Sequence, residues 1–538
     1  MQRVNSEMNA LSDKQMVDFI TNGYLVLQNE LPDALHQSVM RQIDFAVQEE
    51  GNPGNNILPR VPDIAKFFET PVVKGALTSV LGPDYYMHPH RHMHYNQPGN
   101  QAPGGGQWHK DGYWSSMRSH RPWWVMMFYY TQDITEEMGP TAIMPGSQYS
   151  EKLPGGKTVL PTGKAGTIAL VHFDLWHKAS LNTSNVDRYM LKFQFVRLRE
   201  PVSPSWNHVD PAVEFPADRP DARLNLWQDT WQWLLGNAGK PAAAGAQRKT
   251  ADAHRHPAGV QRQADVAELE ARLSDGDAVV RSRAADALGL LGEAAAGSAG
   301  RLRGLVQEAS AEDAGLNAAY ALGRMGAPGQ QVLLELLSSG SKTASQRAAY
   351  GLQAAGAAAV PGLVEALRQS GENGRGLAAF VLGMNGAGAS SAVPALIAAF
   401  EDESEWVRRN AVEALGMIGE PAALAVPALV RALREAVEGE ARDGAVSGSS
   451  DAYAANQTYI ANKIGYSAAL SLLRIGRSGD PALVVSGLQA GLESRDRYAR
   501  AYAFEALTAL RTEEAVSLLI RHYRTARWCP DTHKASMF

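Results

Sequence analysis

The second half of the chain repeats itself, and this periodicity constrains the fold more than any other feature of the sequence. Short segments rich in Ala and Leu end in glycine, as in ADALGLLG at 285–292, AYALGRMG at 319–326 and VEALGMIG at 412–419. The closing glycines, at positions 292, 326, 356, 386, 419 and 476, are separated by 34, 30, 30, 33 and 57 residues. A period near 30 with Ala and Leu at helical spacing predicts stacked pairs of helices, in which glycine ends one helix of each pair.

These repeats resemble a known family. The copy FEDESEWVRRNAVEALGMIGEPAALAVPALVRAL at 400–433 is similar to HEAT repeats, especially to the short type common in bacteria. The resemblance implies an all-α solenoid that contacts a protein partner. A solenoid that only stabilises its neighbour or a dimer is the alternative. The interval of 57 residues fits one repeat plus an insertion, for which the polar stretch 437–457 is the candidate.

A change of composition near residue 237 divides the chain into differently built parts. Nine of the eleven tryptophans precede this point, and small or polar residues fill 237–262. The N-terminal part opens with helical patterns and changes after residue 85 to strand-like alternation. We therefore predict an α+β domain over 1–236 whose sheet forms a sandwich or barrel, a flexible linker over 237–262, a solenoid over 263–525 and a tail over 526–538.

Composition excludes several classes of function. The net charge of −5 and the lack of a long run of Lys or Arg disfavour nucleic acid as a partner. Cys529 is the single cysteine, so a metal must be held by His and carboxylates rather than by thiolates. The sequence shows no signal-peptide pattern and no stretch of roughly 18 apolar residues, so we expect a cytoplasmic protein that does not cross a membrane.

The stretch QWHKDGYW at 107–114 carries the first candidate for chemistry. In an extended segment, His109 and Asp111 share one face, as two ligands of a metal would. A third histidine would complete a 2-His-1-carboxylate face, which leaves three positions on Fe(II) for a cosubstrate and dioxygen. His172 and His177 are both candidates. Arg188 follows His177 by 11 residues at the start of a strand, where its guanidinium could bind a carboxylate of 2-oxoglutarate.

A rival set reproduces this spacing: His172, Asp174, His208 and Arg219. Only 33 residues separate Asp174 from His208, which leaves little room for intervening strands, and three prolines within 209–220 argue against a strand at Arg219. The first set is therefore favoured, with a supporting or core role for His172. A second open question concerns four alternating histidines, which would either bind a separate metal or border the active-site mouth: His88, His90, His92 and His94.

Over about residues 11–200 the chain resembles the phytanoyl-CoA dioxygenase family of Fe(II)- and 2-oxoglutarate-dependent oxygenases. Four stretches match in order: LSDKQMVDFITNGYLVL, WHKD, DITEEMGPTAIMPGSQ and WHKASLNTSNVDR. The resemblance implies a double-stranded β-helix of the jelly-roll, cupin-like type. It assigns His109, Asp111 and His177 to iron and Arg188 to 2-oxoglutarate. The sequence departs from the family pattern at Met138, Gln148 and Phe128.

What the resemblance implies is oxidation of a small organic substrate by dioxygen, coupled to decarboxylation of 2-oxoglutarate to succinate. Relatives that halogenate lack the carboxylate ligand, so Asp111 favours hydroxylation. Phe128, which stands where the family commonly has tryptophan, is expected to border the cofactor site, and Trp108 and Trp114 are candidate pocket walls. The alternative function is an interaction scaffold in which the solenoid binds a protein and the oxygenase fold is inactive.

Overall fold

The computed structural model describes residues 8–101, 103–111, 117–210, 213–237, 260–443 and 463–525. Trp114, most of the predicted linker and the predicted tail lie outside these residues. The chain divides into two compact units. The first comprises Met1–Gly112, Ser119–Phe215 and Leu234–Gly236, and the second comprises Tyr113–Arg118, Pro216–Trp233 and Asn237–Phe538.

The first unit opens with helices whose ends carry local sequence signals. The Ser12 hydroxyl accepts a hydrogen bond from the backbone N–H of Gln15 at 3.3 Å, and the Gln15 side-chain oxygen accepts one from the Ser12 N–H at 3.0 Å. This reciprocal pair is the capping box that the sequence predicts. The helices are α1 (Asp13–Asn22), α2 (Asp33–Glu50), α3 (Ile57–Arg60), α4 (Ala65–Phe68) and α5 (Pro71–Leu81).

The described residues of the first unit form seven strands, whose pairings with one another are antiparallel. They are β1 (Tyr24–Gln28), β2 (Tyr85–Asn96), β3 (Trp124–Tyr129), β4 (Ala142–Ile143), β5 (Thr167–His172), β6 (His177–Lys178) and β7 (Arg188–Arg197). Five of them form a sheet in the order β1-β5-β3-β7-β2, and β4 pairs with β6 in a second sheet. The strands predicted at 85–96, 123–131, 140–145, 166–173 and 188–198 are all present within two residues at each end.

The two faces of the five-stranded sheet differ in chemistry, as β7 shows. On one face, the rings of Phe193 and Phe195 lie 4.3 Å and 5.9 Å from that of Phe68, measured between centroids, and form part of the hydrophobic core. Because successive side chains of a strand point to opposite faces, Lys192 and Gln194 face the other way. That second face carries the candidate site.

The second unit is helical and contains the predicted repeats. Serine and aspartate side chains cap several of its helices, and Gly292, Gly326, Gly356, Gly386 and Gly419 have positive φ, as expected for glycines that close a helix. Gly476, which is not among the glycines with positive φ, begins a short 3₁₀ helix, as Gly292, Gly356 and Gly386 also do.

The described helices of this unit beyond the predicted linker are α7 (Val260–Arg272), α8 (Ala278–Leu291), α9 (Ala299–Gln307), α10 (Glu312–Gly323), α11 (Gly326–Leu337), α12 (Lys342–Ala355), α13 (Val360–Gln369), α14 (Glu372–Met384), α15 (Val393–Ala398), α16 (Glu405–Ile418), α17 (Val426–Asp443), α18 (Lys463–Ile475), α19 (Pro481–Leu492), α20 (Arg497–Leu510) and α21 (Glu513–Thr525). None of the helices in the described part of the chain is long and apolar enough to cross a membrane.

The tryptophan-rich helix α6 (Leu224–Leu234) makes its hydrogen bonds within the second unit. The Asp286 carboxylate accepts the backbone N–H groups of Leu224 and Asn225 at 2.6 Å and 3.0 Å, which caps the helix N-terminus. Burial raises the pKa of Asp286 to about 6, against the lowering effect of these hydrogen bonds. Composition alone groups this helix with 1–236, whereas these hydrogen bonds join it to the repeats. The domain boundary at 236 stays a prediction.

Small residues of the repeats allow neighbouring helices to approach closely. A Cβ atom added to Gly383 of α14 would lie 2.8 Å from the Cα atom of Ala414 on α16, and one added to Gly289 of α8 would lie 2.7 Å from the Cα atom of Ala321 on α10. Both neighbours are backbone atoms, so they cannot rotate away. The Ala-Leu-Gly pattern of the repeats thus supplies a leucine for the core and a glycine for the helix crossing.

We expect Gly383→Ala to destabilise the helical unit by roughly 1–3 kcal/mol, because the added methyl group forces two packed helices apart. Gly304→Ala is the matched control, since Gly304 is exposed inside α9 and no atom lies within 4 Å of the added Cβ. This control should stabilise the helix by roughly 0.5–1 kcal/mol. Thermal melting followed by circular dichroism at 222 nm measures both, and equal effects of the two substitutions would refute the packing argument.

Candidate metal centre

Two segments distant in sequence meet at the candidate centre. The backbone N–H of His109 donates to the carbonyl of His177 at 3.0 Å, and the N–H of His177 donates to the carbonyl of His109 at 3.1 Å. Residues paired in this way project their side chains to the same side. Asp111 follows His109 by two residues in the extended chain and joins them. One ligand atom from each of these three side chains lies within 4.8 Å of the others.

The two histidines are oriented alike by their backbone neighbours. His109 Nδ1 lies 2.8 Å from the Gln107 carbonyl, and His177 Nδ1 lies 3.0 Å from the Leu175 carbonyl. A carbonyl can only accept, so Nδ1 carries the proton in each ring, and the lone pair that a metal would use lies on Nε2. The two Nε2 atoms lie 4.0 Å and 3.9 Å from Oδ1 of Asp111. This is the arrangement in which histidines ligate a metal.

Asp111 uses its second oxygen differently. Oδ2 accepts hydrogen bonds from Lys192 Nζ at 2.6 Å and from Gln194 Nε2 at 3.1 Å, while Oδ1 faces the histidines. Lys192 Nζ also lies 3.4 Å from His177 Nε2. A carboxylate left unpaired in such a place would destabilise the fold by roughly 3–5 kcal/mol. Lys192 and Gln194 therefore belong to the candidate site, and the sequence analysis did not name them.

The protonation states suit metal binding. Burial, together with the positive charge of Lys192, lowers the pKa of His177 to about 3. Burial alone would raise the pKa of Asp111, but Lys192 and His177 hold the pKa of this carboxyl well below its usual range. At neutral pH the site thus presents a neutral imidazole and a carboxylate, the forms in which both side chains bind metals.

Arg188 begins β7 on the same face as Lys192 and is 1% exposed. Its Nη2 donates to the Gly139 carbonyl at 2.8 Å, but Nε and Nη1 have no hydrogen-bond partner within the described part of the chain. Gly139 has φ of 65°, and a Cβ there would lie 2.6 Å from the Leu181 carbonyl oxygen, so only glycine fits. The turn at Gly139 thereby orients a buried cation that keeps two donor atoms for a ligand.

Phe128 lies beside the centre on β3, directly opposite Lys192 in the β3–β7 register. Its ring centroid is 5.7 Å from that of His177, and Lys192 Nζ is 5.9 Å from the same Phe128 ring. Trp108, expected as a pocket wall, instead lies under the ammonium of Lys178 at 5.1 Å. Since Trp108 and His109 are neighbours in an extended segment, they point to opposite sides.

The four alternating histidines of β2 do not form a group of three metal-ligating side chains in the described part of the chain. In the β2–β7 register, His92 is opposite Lys192 and His94 is opposite Met190, so both face the centre. Burial lowers the pKa of His94 well below its ordinary value, with Lys192 adding to the effect. This strand therefore borders the site.

The rival ligand set is not assembled. The ring of His172 packs near that of Phe19 in α1, with 6.3 Å between centroids. In the β3–β5 register, His172 pairs with Val125 and Ala169 pairs with Phe128, so His172 and Phe128 lie on opposite faces of the sheet. His208 Nδ1 lies 2.8 Å from a carboxylate oxygen of Asp13, and Arg219 pairs with Asp221. These contacts give His172 a core role and leave His208 and Arg219 with structural partners.

The fold and the side chains of this centre are typical of one class of protein, the non-haem iron oxygenases. Residues 9–190 match the family model of phytanoyl-CoA dioxygenase, and residues 360–449 match a model of HEAT repeats. The chain therefore combines a phytanoyl-CoA dioxygenase-type domain with HEAT repeats, as the two resemblances predict. No curated protein matches the chain as a whole or in part at a significant level.

Two similar solved structures each cover less than half of this chain. The α-ketoglutarate-dependent carbocyclase SnoK from nogalamycin biosynthesis is 14% identical, with a TM-score of 0.30 over 35% of this chain and 85% of its own. EctD from S. alaskensis, solved with 2-oxoglutarate and 5-hydroxyectoine, is 20% identical, with a TM-score of 0.31 over 45% of this chain and 89% of its own. At these values, the family match and the geometry of the centre carry the functional argument.

Proposed function

We propose that the first unit is an Fe(II)- and 2-oxoglutarate-dependent dioxygenase that hydroxylates an organic substrate. The observation that carries this proposal is the convergence of His109, Asp111 and His177 on one point, beside the sheet face that also carries the buried Arg188. Two neutral imidazoles and one carboxylate are the donor set of non-haem Fe(II) oxygenases. They would occupy one face of the ion and leave three positions open.

The surroundings of Arg188 fit the cosubstrate. A buried guanidinium is costly unless an anion compensates it, and Nε and Nη1 of Arg188 have no partner in the described part of the chain. Either of these atoms, together with the second N–H of Nη2, forms the planar fork whose parallel donors bind a carboxylate. We assign them to the far carboxylate of 2-oxoglutarate, whose keto acid end would reach the metal.

When bound, iron and 2-oxoglutarate supply the oxidising chemistry, in which decarboxylation to succinate accompanies transfer of one oxygen atom to the substrate. The residues of the chain position and shield this reaction. Asp111 and the histidines fix the geometry, and buried Phe128 keeps water from one side of the centre. His109 is the most open ligand, with its side chain 40% exposed, so we place the entry of the substrate on its side. The retained carboxylate of Asp111 favours hydroxylation over halogenation.

An anaerobic titration tests this function. Addition of Fe(II) and 2-oxoglutarate under argon should produce a visible charge-transfer band in the wild-type protein, because the cosubstrate chelates the metal. His109→Ala and Asp111→Ala should abolish the band, since each removes a ligand. His208→Ala, a histidine bound to Asp13 rather than to the centre, is the matched control and should keep it.

Arg188→Gln separates the two parts of the site. We expect Fe(II) affinity to stay near wild type and 2-oxoglutarate affinity to fall by about 100-fold, the loss of two charge-assisted hydrogen bonds. The dependence of the band on 2-oxoglutarate concentration gives this affinity. Absence of the band in the wild type, or its survival in both ligand variants, would refute the oxygenase proposal.

For the second unit we propose contact with a protein partner. The last described helix, α21, exposes Val516, Ile520 and Tyr523, which share one face because they are spaced by four and three residues. Their exposed fractions are 45%, 51% and 70%. An apolar stripe of this kind on an end helix is typical of a surface that another protein covers.

Replacement of Val516 and Ile520 by glutamate should abolish capture of this partner, because charge opposes burial of the stripe. The measurement is cross-linking of the full-length protein in a lysate of its source, followed by mass spectrometry. Val202→Glu is the control, since Val202 is 89% exposed and belongs to the first unit. If the wild type, the variant at Val516 and Ile520, and the Val202 control all capture the same partners, the proposed surface is contradicted and a purely structural solenoid is favoured.

A further inference from the structure

Lys192 contacts two of the three side chains of the candidate centre. Its ammonium nitrogen lies 2.6 Å from Asp111 Oδ2 and 3.4 Å from His177 Nε2, and Lys192 is only 5% exposed. The ring of Phe128 covers it at 5.9 Å. A buried lysine in these contacts places a fixed positive charge inside a site whose donor set is suited to a divalent cation.

The contact with His177 conflicts with metal binding. An ammonium group is a donor only, so it must use the lone pair of Nε2, because Nδ1 of the same ring is engaged with the Leu175 carbonyl. One lone pair cannot serve a proton donor and a metal ion at the same time. A metal that binds His177 therefore has to displace this hydrogen bond.

The contact with Asp111 has a different outcome. Lys192 holds Oδ2, whereas the histidines face Oδ1, so this ion pair can persist beside a bound metal. Gln194 donates to the same Oδ2 at 3.1 Å and would continue to orient the carboxylate without the lysine. Removal of Lys192 would thus remove a positive charge from the site, while Gln194 would keep the orientation of Asp111.

Building on the proposed function, we propose that Lys192 is the internal counter-cation of the metal-free centre. It is a positioning residue that joins Asp111 to His177 until a divalent metal takes the histidine lone pair. Its charge then lies close to the metal ion and repels it, since like charges a few ångströms apart in a buried site interact strongly. Lys192 therefore stabilises the metal-free protein and weakens its affinity for metal.

The test compares the metal-free stability and the metal affinity of one variant. Lys192→Met keeps an unbranched side chain one atom shorter than lysine and removes its charge. We expect a lower melting temperature in the presence of a chelator, because Asp111 loses its counter-charge. We also expect Co(II), titrated calorimetrically into the metal-free protein, to bind at least about 10-fold more tightly. Lys164→Met, which removes a lysine 82% exposed in its side chain, is the matched control and should change neither quantity.

Lys192→Gln is the second variant, for the case in which Lys192→Met fails to fold. Glutamine can still donate to Asp111 Oδ2 but carries no charge, so Co(II) should again bind more tightly than to the wild type. Tighter binding to either folded variant, including binding where the wild type shows none, supports the proposal.

Two results overturn it. Weaker Co(II) binding would make Lys192 an ordinary orienting contact of Asp111, whose loss typically costs 10- to 100-fold in affinity. Unchanged binding would show that the ammonium group of Lys192 does not lower the affinity of the site for metal. In both cases, binding of Co(II) to the wild type would still support the metal centre of the proposed function. Absence of binding to the wild type and to both variants would refute the metal centre and Lys192's role together.

Discussion

Two backbone hydrogen bonds between His109 and His177 hold the candidate centre together. They are the contact through which the extended segment before β3 meets the short strand β6, 68 residues later in the chain. The pairing sets the side on which both imidazoles lie, and Asp111 follows from the two-residue period of an extended chain. The candidate centre depends on this bridge, because it brings two of the three ligand side chains together. The large sheet supplies the residues that surround them.

That large sheet contributes through its register. Arg188, Lys192 and Gln194 share one face of β7, so a single strand carries the proposed cosubstrate anchor and two partners of Asp111. The other face of the same strand packs Phe193 and Phe195 into the core. A buried strand with several polar residues on one face is stable only where each polar group finds a partner or a ligand. Strand β7 therefore serves both the site, through one face, and the hydrophobic core, through the other.

Much of this arrangement could be predicted from the sequence because it is local or periodic. The capping box at Ser12 needs four residues, the strands show alternation, and the positive φ of the closing glycines follows from the repeat. His109, Asp111, His177 and Arg188 could be named because their types and spacing form a pattern, and the structure brings them together. Their roles as ligands stay a proposal.

Other features depend on pairing between distant segments. Lys192 looks like an ordinary polar residue of RYMLKFQFV until β7 is aligned with β3 and with the loop that carries Asp111. The available signal was its position four residues after Arg188, which places both on one face of a strand. The partners of α6 were hidden in the same way, because Asp286 lies 62 residues beyond Leu224. Trp108 was expected as a pocket wall, but its neighbour His109 points to the centre, so the side chain of Trp108 points to the opposite side.

The most direct test of the central claim is anomalous diffraction at the iron absorption edge, from crystals grown without oxygen in Fe(II) and 2-oxoglutarate. The account predicts one strong peak at roughly 2.0–2.2 Å from Nε2 of His109, Oδ1 of Asp111 and Nε2 of His177, the usual range for such ligands. A peak among the histidines of β2, or none within reach of these three atoms, would contradict it.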